Sequence, residues 1–316
     1  MTTTAPIISV TGGDDPGPMS LAGSRRPGEM VVMLLLRVAA FVSVAVTVGI
    51  VIALVGPALN FFQQVPVSDF LFGTTWRPNF APTEYGALPL VAGTLMTTLV
   101  GMIVAIPFGL GAAMYLSEYA SPRVRRVLKP VLELLAGIPS VVYGFFALQF
   151  ITPTLLRAWL GVEVGFTNAL AAGIVLGVMI IPTIASLSED AMSAVPDALR
   201  QGSLAMGANR MQTTLRVVFP AAISGIAAAI VLGISRGVGE TMIVALAAGS
   251  QPNLSPDVRE GMQTMTGYIA NTAGGENIVG SVSYNTLFAV GLLLFMITLV
   301  INMISIVLVR RIREVY

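Results

Sequence analysis

The segment GISRGVGETMIV, residues 233–244, places an arginine and a glutamate, Arg236 and Glu240, inside a long apolar run. A charged side chain at membrane depth costs several kcal/mol, from about 2.5 kcal/mol upward for arginine, unless it is paired or solvated. Four residues apart on a helix, the two share one face. Two roles fit that arrangement. In one, the pair neutralises itself and fixes helix packing, with Gly233, Gly237 and Gly239 letting a neighbouring helix approach closely. In the other, Arg236 faces an aqueous path and meets an oxyanion there. Guanidinium suits the second task, because it stays charged and donates two parallel hydrogen bonds. Glu240 would repel an anion, so its part would be to hold Arg236 between transport events or to complete a gate.

Other chemistry is thinly represented. Histidine and cysteine are both absent, which removes disulfides, thiolate nucleophiles, the usual zinc or haem ligands and a histidine base. The single lysine, Lys129, follows Leu128 in RVLKP, whereas a phosphate-binding Walker A loop needs glycine before its lysine. If transport here is ATP-driven, another polypeptide must supply the ATPase. Glu133, four residues beyond Lys129, makes a local helix pair with it. Glu189 and Asp190 end an apolar run and are expected in water; adjacency in sequence does not make them a hydrolytic acid–base pair. The 16 methionines read as gap-filling core residues rather than metal ligands.

The elements that must carry these residues are membrane spans. Hydrophobic residues make up 55% of the chain and charged residues 10%, against about 25% charged in a soluble domain. With a net charge of +1, no overall basicity points to nucleic acid. Residues 1–29 are polar and rich in Gly, Pro, Thr and Ser, and read as a disordered tail. A first apolar run over 30–62 is long enough to remain as an anchor. Five more follow near 88–117, 130–156, 169–187, 217–249 and 285–309, each meeting the roughly 20 residues a span requires. The third and fourth are interrupted at AGIPSVVYG and VMIIPTIAS, breaks tolerated only inside a bundle or beside a water-filled cavity. The prediction is an all-α polytopic membrane protein of six helices, with residues 63–316 as its core.

Arginine and lysine fix the orientation. Arg25, Arg26 and Arg37 lie before or at the start of the first span. Arg123, Arg125, Arg126 and Lys129 lie between the second and third, Arg200, Arg210 and Arg216 between the fourth and fifth, and Arg310, Arg311 and Arg313 after the sixth. The opposite loops hold only Arg77, Arg157 and Arg259. Both termini are therefore expected in the cytoplasm. If the fifth span starts near Pro220, Arg236 lies about 24 Å along it at 1.5 Å per residue, beyond the midplane.

The loop 188–216 lies on the basic side. Pro196 opens a helix at its first turn and Asp197 suits the positive N-terminal end. Leu199, Leu204, Met206 and Met211 recur among polar residues, as in an amphipathic helix at the membrane surface.

The stretch QGSLAMGANRMQTTLRVVFP resembles the cytoplasmic EAA signature of ABC importer permeases. That signature runs Glu-Ala-Ala, three residues, Gly, nine residues, then Ile-x-Leu-Pro. Gly207 and Pro220 hold the required spacing, with Val217 and Phe219 at the apolar positions. Gln201, Gly202 and Ser203 stand where Glu-Ala-Ala would be, so the acidic member is missing. The resemblance implies a type I permease with a coupling helix docked in a groove of the ATPase.

Over about residues 68–310, FLFGTTWRPNF, GALPLVAGTL, LSEYASPRVRRVLKPVLELLAGIPSVVYGFFAL, IIPTIASLSEDA and SRGVGETMIVALAAG resemble the C-type permeases of bacterial phosphate importers. That likeness implies a non-catalytic subunit in the bacterial cytoplasmic membrane, surrounded by lipid. Its partners would be a related A-type permease, an ATPase dimer holding ATP and Mg, and an extracytoplasmic phosphate-binding protein. No cofactor is expected in the chain itself. The same family gives a transport role to the arginine and glutamate of R-x-x-G-E-T, here Arg236 and Glu240. Molybdate or sulfate as cargo stays open, and so does an ATPase-independent channel or carrier. No internal repeat argues for a carrier, and the Gly207–Pro220 signature argues against that class. The external loops 63–87 and 250–284 are long enough to form a platform for a binding protein.

Overall fold

The computed structural model describes residues 27–275, 278 and 280–312. Residues 1–26 of the expected tail, with Arg25 and Arg26, lie outside the described residues, as does Arg313. Contacts divide the chain into two units, Met1–Ile50 and Val51–Tyr316. Helix α1, Pro27–Phe62, begins three residues before the expected Met30, with proline at the first turn, where its missing N–H is not needed. In its first unit α1 is apolar all round, with Leu34, Leu35, Leu36 and Phe41 exposed, as expected of a helix solvated by lipid.

The second unit continues with α2, Val67–Phe72, and a two-residue antiparallel ladder, β1, Trp76–Arg77, and β2, Glu84–Tyr85. Helix α3, Leu88–Met114, runs on into a π-helical turn, Tyr115–Tyr119. Helix α4, Pro122–Ala136, is followed by α5, Ser140–Phe146, extended by a π-helical stretch, Ala147–Trp159. Then come α6, Ala169–Ser193, α7, Asp197–Ala205, and α8, Arg210–Thr213. A π-helical turn, Thr214–Val218, leads into α9, Phe219–Ala221, and α10, Ile223–Gly239. The chain closes with α11, Met242–Ala247, α12, Met265–Ala273, and α13, Val282–Ile312.

Five helical segments are long and apolar enough to cross a membrane: Glu29–Phe62, Leu88–Tyr119, Ser140–Trp159, Ala169–Ser193 and Val282–Val307. A sixth forms if Arg210–Ala221 and Ile223–Gly239, bent by 72°, count as one span. The all-α expectation holds, with six spans when the bent pair counts as one, and several boundaries move, the fourth span ending at Ser193 rather than 187. The third span starts at Ser140 rather than near 130, because Gly137, Ile138 and Pro139 separate it from α4. The fifth ends at Gly239 rather than 249.

Helices α3 and α6 form the central seam, closed by small residues. A Cβ on Gly173 would lie 2.5 Å from the Val100 Cβ, and one on Gly177 would lie 2.6 Å from the Gly101 carbonyl oxygen. Only glycine permits that approach. Around the seam Leu176, Met179, Ile180 and Ile184 pack with Ile151, Leu156 and Ile243. Helix α6 starts at Asn168, fully buried, whose Oδ1 accepts from the Ala171 N–H at 2.7 Å. Its amide donates to Thr152 Oγ1 and the Gly165 carbonyl, so the buried cap is satisfied. A second buried group lies at the hairpin end, where Phe61, Phe70, Trp76 and Tyr268 meet edge to face.

Gly177→Leu should lower the thermal unfolding midpoint of the detergent-solubilised chain, since overpacking a close seam costs about 1–3 kcal/mol. Gly111→Leu, where a Cβ meets nothing within 4 Å, should leave it unchanged.

Candidate functional site

Arg236 lies in the last turn of α10 and is half-buried. Its Nη1 donates to Thr183 Oγ1 at 3.1 Å. Thr183 follows Pro182, the proline inside α6. The guanidinium carries five N–H donors, and this neutral hydroxyl is its one hydrogen-bond partner among the described residues. Gly233 and Gly237 on the same helix do serve packing: a Cβ on either would lie 3.1 Å from Ile180 or Thr98 side-chain atoms. Gly239 would meet nothing, so close contact accounts for two of the three glycines.

Arg236 and Glu240 do not share the expected helix face. Helix α10 ends at Gly239, and Glu240 is extended, with φ −65° and ψ 132°, so the two do not lie on one helical face. The Glu240 carboxylate instead accepts from the backbone N–H groups of Met242 and Ile243, at 3.0 and 3.3 Å. It thereby satisfies donors at the start of α11 that have no helical acceptor. The Glu240 carbonyl accepts from Thr266 Oγ1 at 2.6 Å, which ties the start of α12 to the same joint. Glu240 fixes a break in the backbone; it does not neutralise Arg236 in this conformation.

The loop 188–216 contains the expected helix, α7, but its first residues still belong to α6. Gln201 and Gly202 are exposed on α7, and Ser203 is half-buried, its hydroxyl 2.9 Å from Thr213 Oγ1. Gly207 follows the helix with φ +86°. Its N–H bonds the Leu204 carbonyl and the Ala208 N–H bonds the Ser203 carbonyl, a left-handed C-terminal stop that favours glycine. Space is not the reason for this glycine, since a Cβ there would touch nothing. Pro220 is exposed in α9, just ahead of the 72° bend. Leu199 and Phe219 turn inward against Ala113, Met192, Val218 and Ile226. Leu204, Met206 and Met211 are left exposed, Met206 by 89%. The α7 residues and the Arg236 break are separate features on different elements.

Two charge expectations are overturned. Glu189 does not sit in water: it is fully buried, pairs with Arg125, and accepts from Lys129 Nζ at 2.7 Å and from Ser193 Oγ at 2.9 Å. Lys129 reaches across to α6 rather than along its own helix to Glu133, and pairs with Asp190 as well. The Asp190 and Glu189 carboxylates raise the Lys129 ammonium above its ordinary range. The signal for a buried Glu189 is the inward stripe Ala185, Ser188, Glu189, Met192 on α6, which has helical spacing. Sequence reasoning also gave no role to Glu118, whose carboxylate pairs with Arg200 of α7 at 3.0 Å.

Apolar helices of spanning length, one pair of them bent by 72°, and the short amphipathic helix α7 give the chain the layout of a polytopic membrane protein. A model of the family described as binding-protein-dependent transport system inner membrane component matches residues 105–314, and the chain belongs to that family. It is 37% identical over 290 residues to the Bacillus subtilis "Probable ABC transporter permease protein YqgH", covering 91% of each chain. It is 31% identical over 280 residues to the Xylella fastidiosa "Phosphate transport system permease protein PstC", covering 81% of this chain and 85% of that one. Among solved structures, a bacterial alginate ABC transporter in complex with a pentasaccharide-bound periplasmic protein aligns with TM-score 0.63 at 17% identity, over 90% of this chain and 94% of that one. An inward-facing MetNI methionine ABC transporter aligns with TM-score 0.52 at 22% identity, over 72% and 95%. These structures support the fold.

Removing one partner of a buried ion cluster costs about 3–5 kcal/mol, so Glu189→Gln should markedly lower the thermal midpoint of the purified chain. Asp190→Asn, at an exposed pair of the kind worth at most about 1 kcal/mol, should shift it little.

Proposed function

We propose that the chain is one of two permease subunits of an ATP-driven phosphate importer. The observation that carries this is Arg236, a charged side chain in a membrane-crossing segment with one neutral hydroxyl as its hydrogen-bond partner among the described residues. Its remaining donors suit an oxyanion, and relatives at about 31% identity are described as phosphate transport permeases. An apolar path would oppose a desolvated phosphate by many kcal/mol; a fixed guanidinium offsets that. Molybdate and sulfate offer similar oxygen acceptors, so competition between labelled phosphate and either ion decides the cargo. A channel or carrier that works without an ATPase is disfavoured by the family.

In this reading α7 and the Gly207 turn dock on an ATPase, which holds ATP and Mg, and the exposed Leu204, Met206 and Met211 are covered on assembly. Gln201, Gly202 and Ser203 form the facing surface, Gly207 ends it, and Pro220 sets the turn into the span. Both termini face the cytoplasm. An A-type permease completes the path, and a phosphate-binding protein meets the loops 63–87 and 250–284. The first of these borders an open cleft of about 760 Å³ lined by polar residues including Ser68, Thr75 and Glu84; residues 276, 277 and 279 of the second lie outside the described residues. The location is the bacterial cytoplasmic membrane.

With the assembled complex in vesicles, Arg236→Gln should abolish uptake of labelled phosphate without loss of assembly or ATP binding. Arg236→Lys should restore only part, because it keeps the charge and loses the planar fork. Glu240→Gln, which keeps a side-chain oxygen at the joint, should slow turnover. Normal uptake by Arg236→Gln would refute the anion role.

A further inference from the structure

Arg200 on α7 is only 17% exposed, and its partner Glu118 8%. The guanidinium reaches three separate elements at once. Its Nε and Nη2 donate to Glu118 Oε1 at 3.2 and 3.0 Å, at the end of the α3 span. Nη2 also donates to the Met192 carbonyl at 2.7 Å, and Nη1 to the Val195 carbonyl at 2.5 Å. The Met192 carbonyl lies in the last turn of α6, where it also accepts from the Val195 N–H, and the Val195 carbonyl lies two residues beyond the helix, in the link to α7. Nη1 makes a further bond to Asp197 within α7. Every nitrogen of the group is engaged.

We propose that Arg200 is the positioning residue that makes α7 and the adjoining ends of α3 and α6 move as one body. The inference rests on the reading that α7 meets an ATPase. Leu199 also packs against Ala113 and Met192 and the Ser203 hydroxyl meets Thr213, but no residue of α7 is fully buried, and Arg200 is its charged, multiply bonded tie to both spans. Through Arg200 a displacement of α7 reaches two spans directly. One of them, α6, also carries Thr183, the residue holding Arg236, so the clamp and the anion-facing arginine are joined by one continuous helix. Lysine cannot replace this fork: its ammonium is a compact point charge on a flexible stem and cannot serve acceptors on three elements together.

The test uses the full complex in vesicles, with a thiol introduced by Ala198→Cys, an exposed position of α7 in a chain without cysteine. Crosslinking of that thiol to the ATPase establishes docking. Arg200→Lys in this background should keep assembly, the crosslink and ATP hydrolysis. Uptake of labelled phosphate per ATP hydrolysed should fall roughly tenfold, within the 5–150-fold typical of coupling between sites. A merely structural staple would lower the amount of complex and leave that ratio alone. An unchanged ratio overturns the proposal. If Arg200→Lys does not assemble, Glu118→Ala, which leaves both carbonyl bonds, should show the same fall, and an unchanged ratio there overturns it equally. Failure of both variants to assemble gives Arg200 a structural role only and overturns it. No crosslink from Ala198→Cys alone refutes the docking reading itself.

Discussion

A charge taken out of water must find a partner or a polar medium, and the arrangement of this chain follows from how each buried charge meets that demand. At the basic end, Glu189 and Glu118 are removed from solvent, and each is held by cations from another element. These contacts join α4 to α6 and α7 to α3, so the charges that would be costly alone become the ties between helices. Arg236 is the exception. Its one hydrogen-bond partner among the described residues is the Thr183 hydroxyl, and in the proposed function its remaining donors serve water or an anion.

The breaks in the helices serve the same end. Gly239 stops α10 just after Arg236, and Glu240 turns its carboxylate onto the start of α11. The backbone donors released by the break are thus satisfied inside the protein, the condition for irregular chain at membrane depth. The interruption expected at VMIIPTIAS is absent, since α6 runs unbroken through Pro182, which stands beside the residue that bonds Arg236. Ahead of α10, the 72° bend after Pro220 and Ala221 turns the chain from the α8–α9 segment into the span. Glycine seams between α3 and α6 leave the core too close-packed to bend continuously, which favours movement of whole helices over local yielding.

Much of this was legible in the sequence. Apolar runs of spanning length located the helices, and Arg236 stood out because guanidinium is rare in such runs. Pro196 and Asp197 located the start of α7, but the helix expected over 197–212 ends at Ala205, because the chain turns at Gly207 with a positive φ that appears only in the backbone. Partner choice was not legible. Periodicity places Lys129 beside Glu133, but Glu189 on another helix offers a buried carboxylate and wins. The i,i+4 rule likewise places Glu240 beside Arg236, and it fails because the helix stops between them. The run 130–156 reads as one span, but Gly137 and Pro139 divide it, leaving α4 as a separate helix with Val127, Val131 and Leu134 exposed along one face. Each miss concerns a long-range contact or a chain break, to which local patterns are blind.

The central claim is that Arg236 borders a water-filled path used by an anion, and accessibility at Thr183 tests it most directly. The chain has no cysteine, so Thr183→Cys can be labelled alone with a charged, water-soluble thiol reagent in the assembled complex. The account predicts labelling that phosphate slows, while Ile103→Cys, on the exposed apolar surface of α3, stays unreactive. A thiol at position 183 as inert as one at 103, or labelled with no effect of phosphate or any other oxyanion, would contradict it.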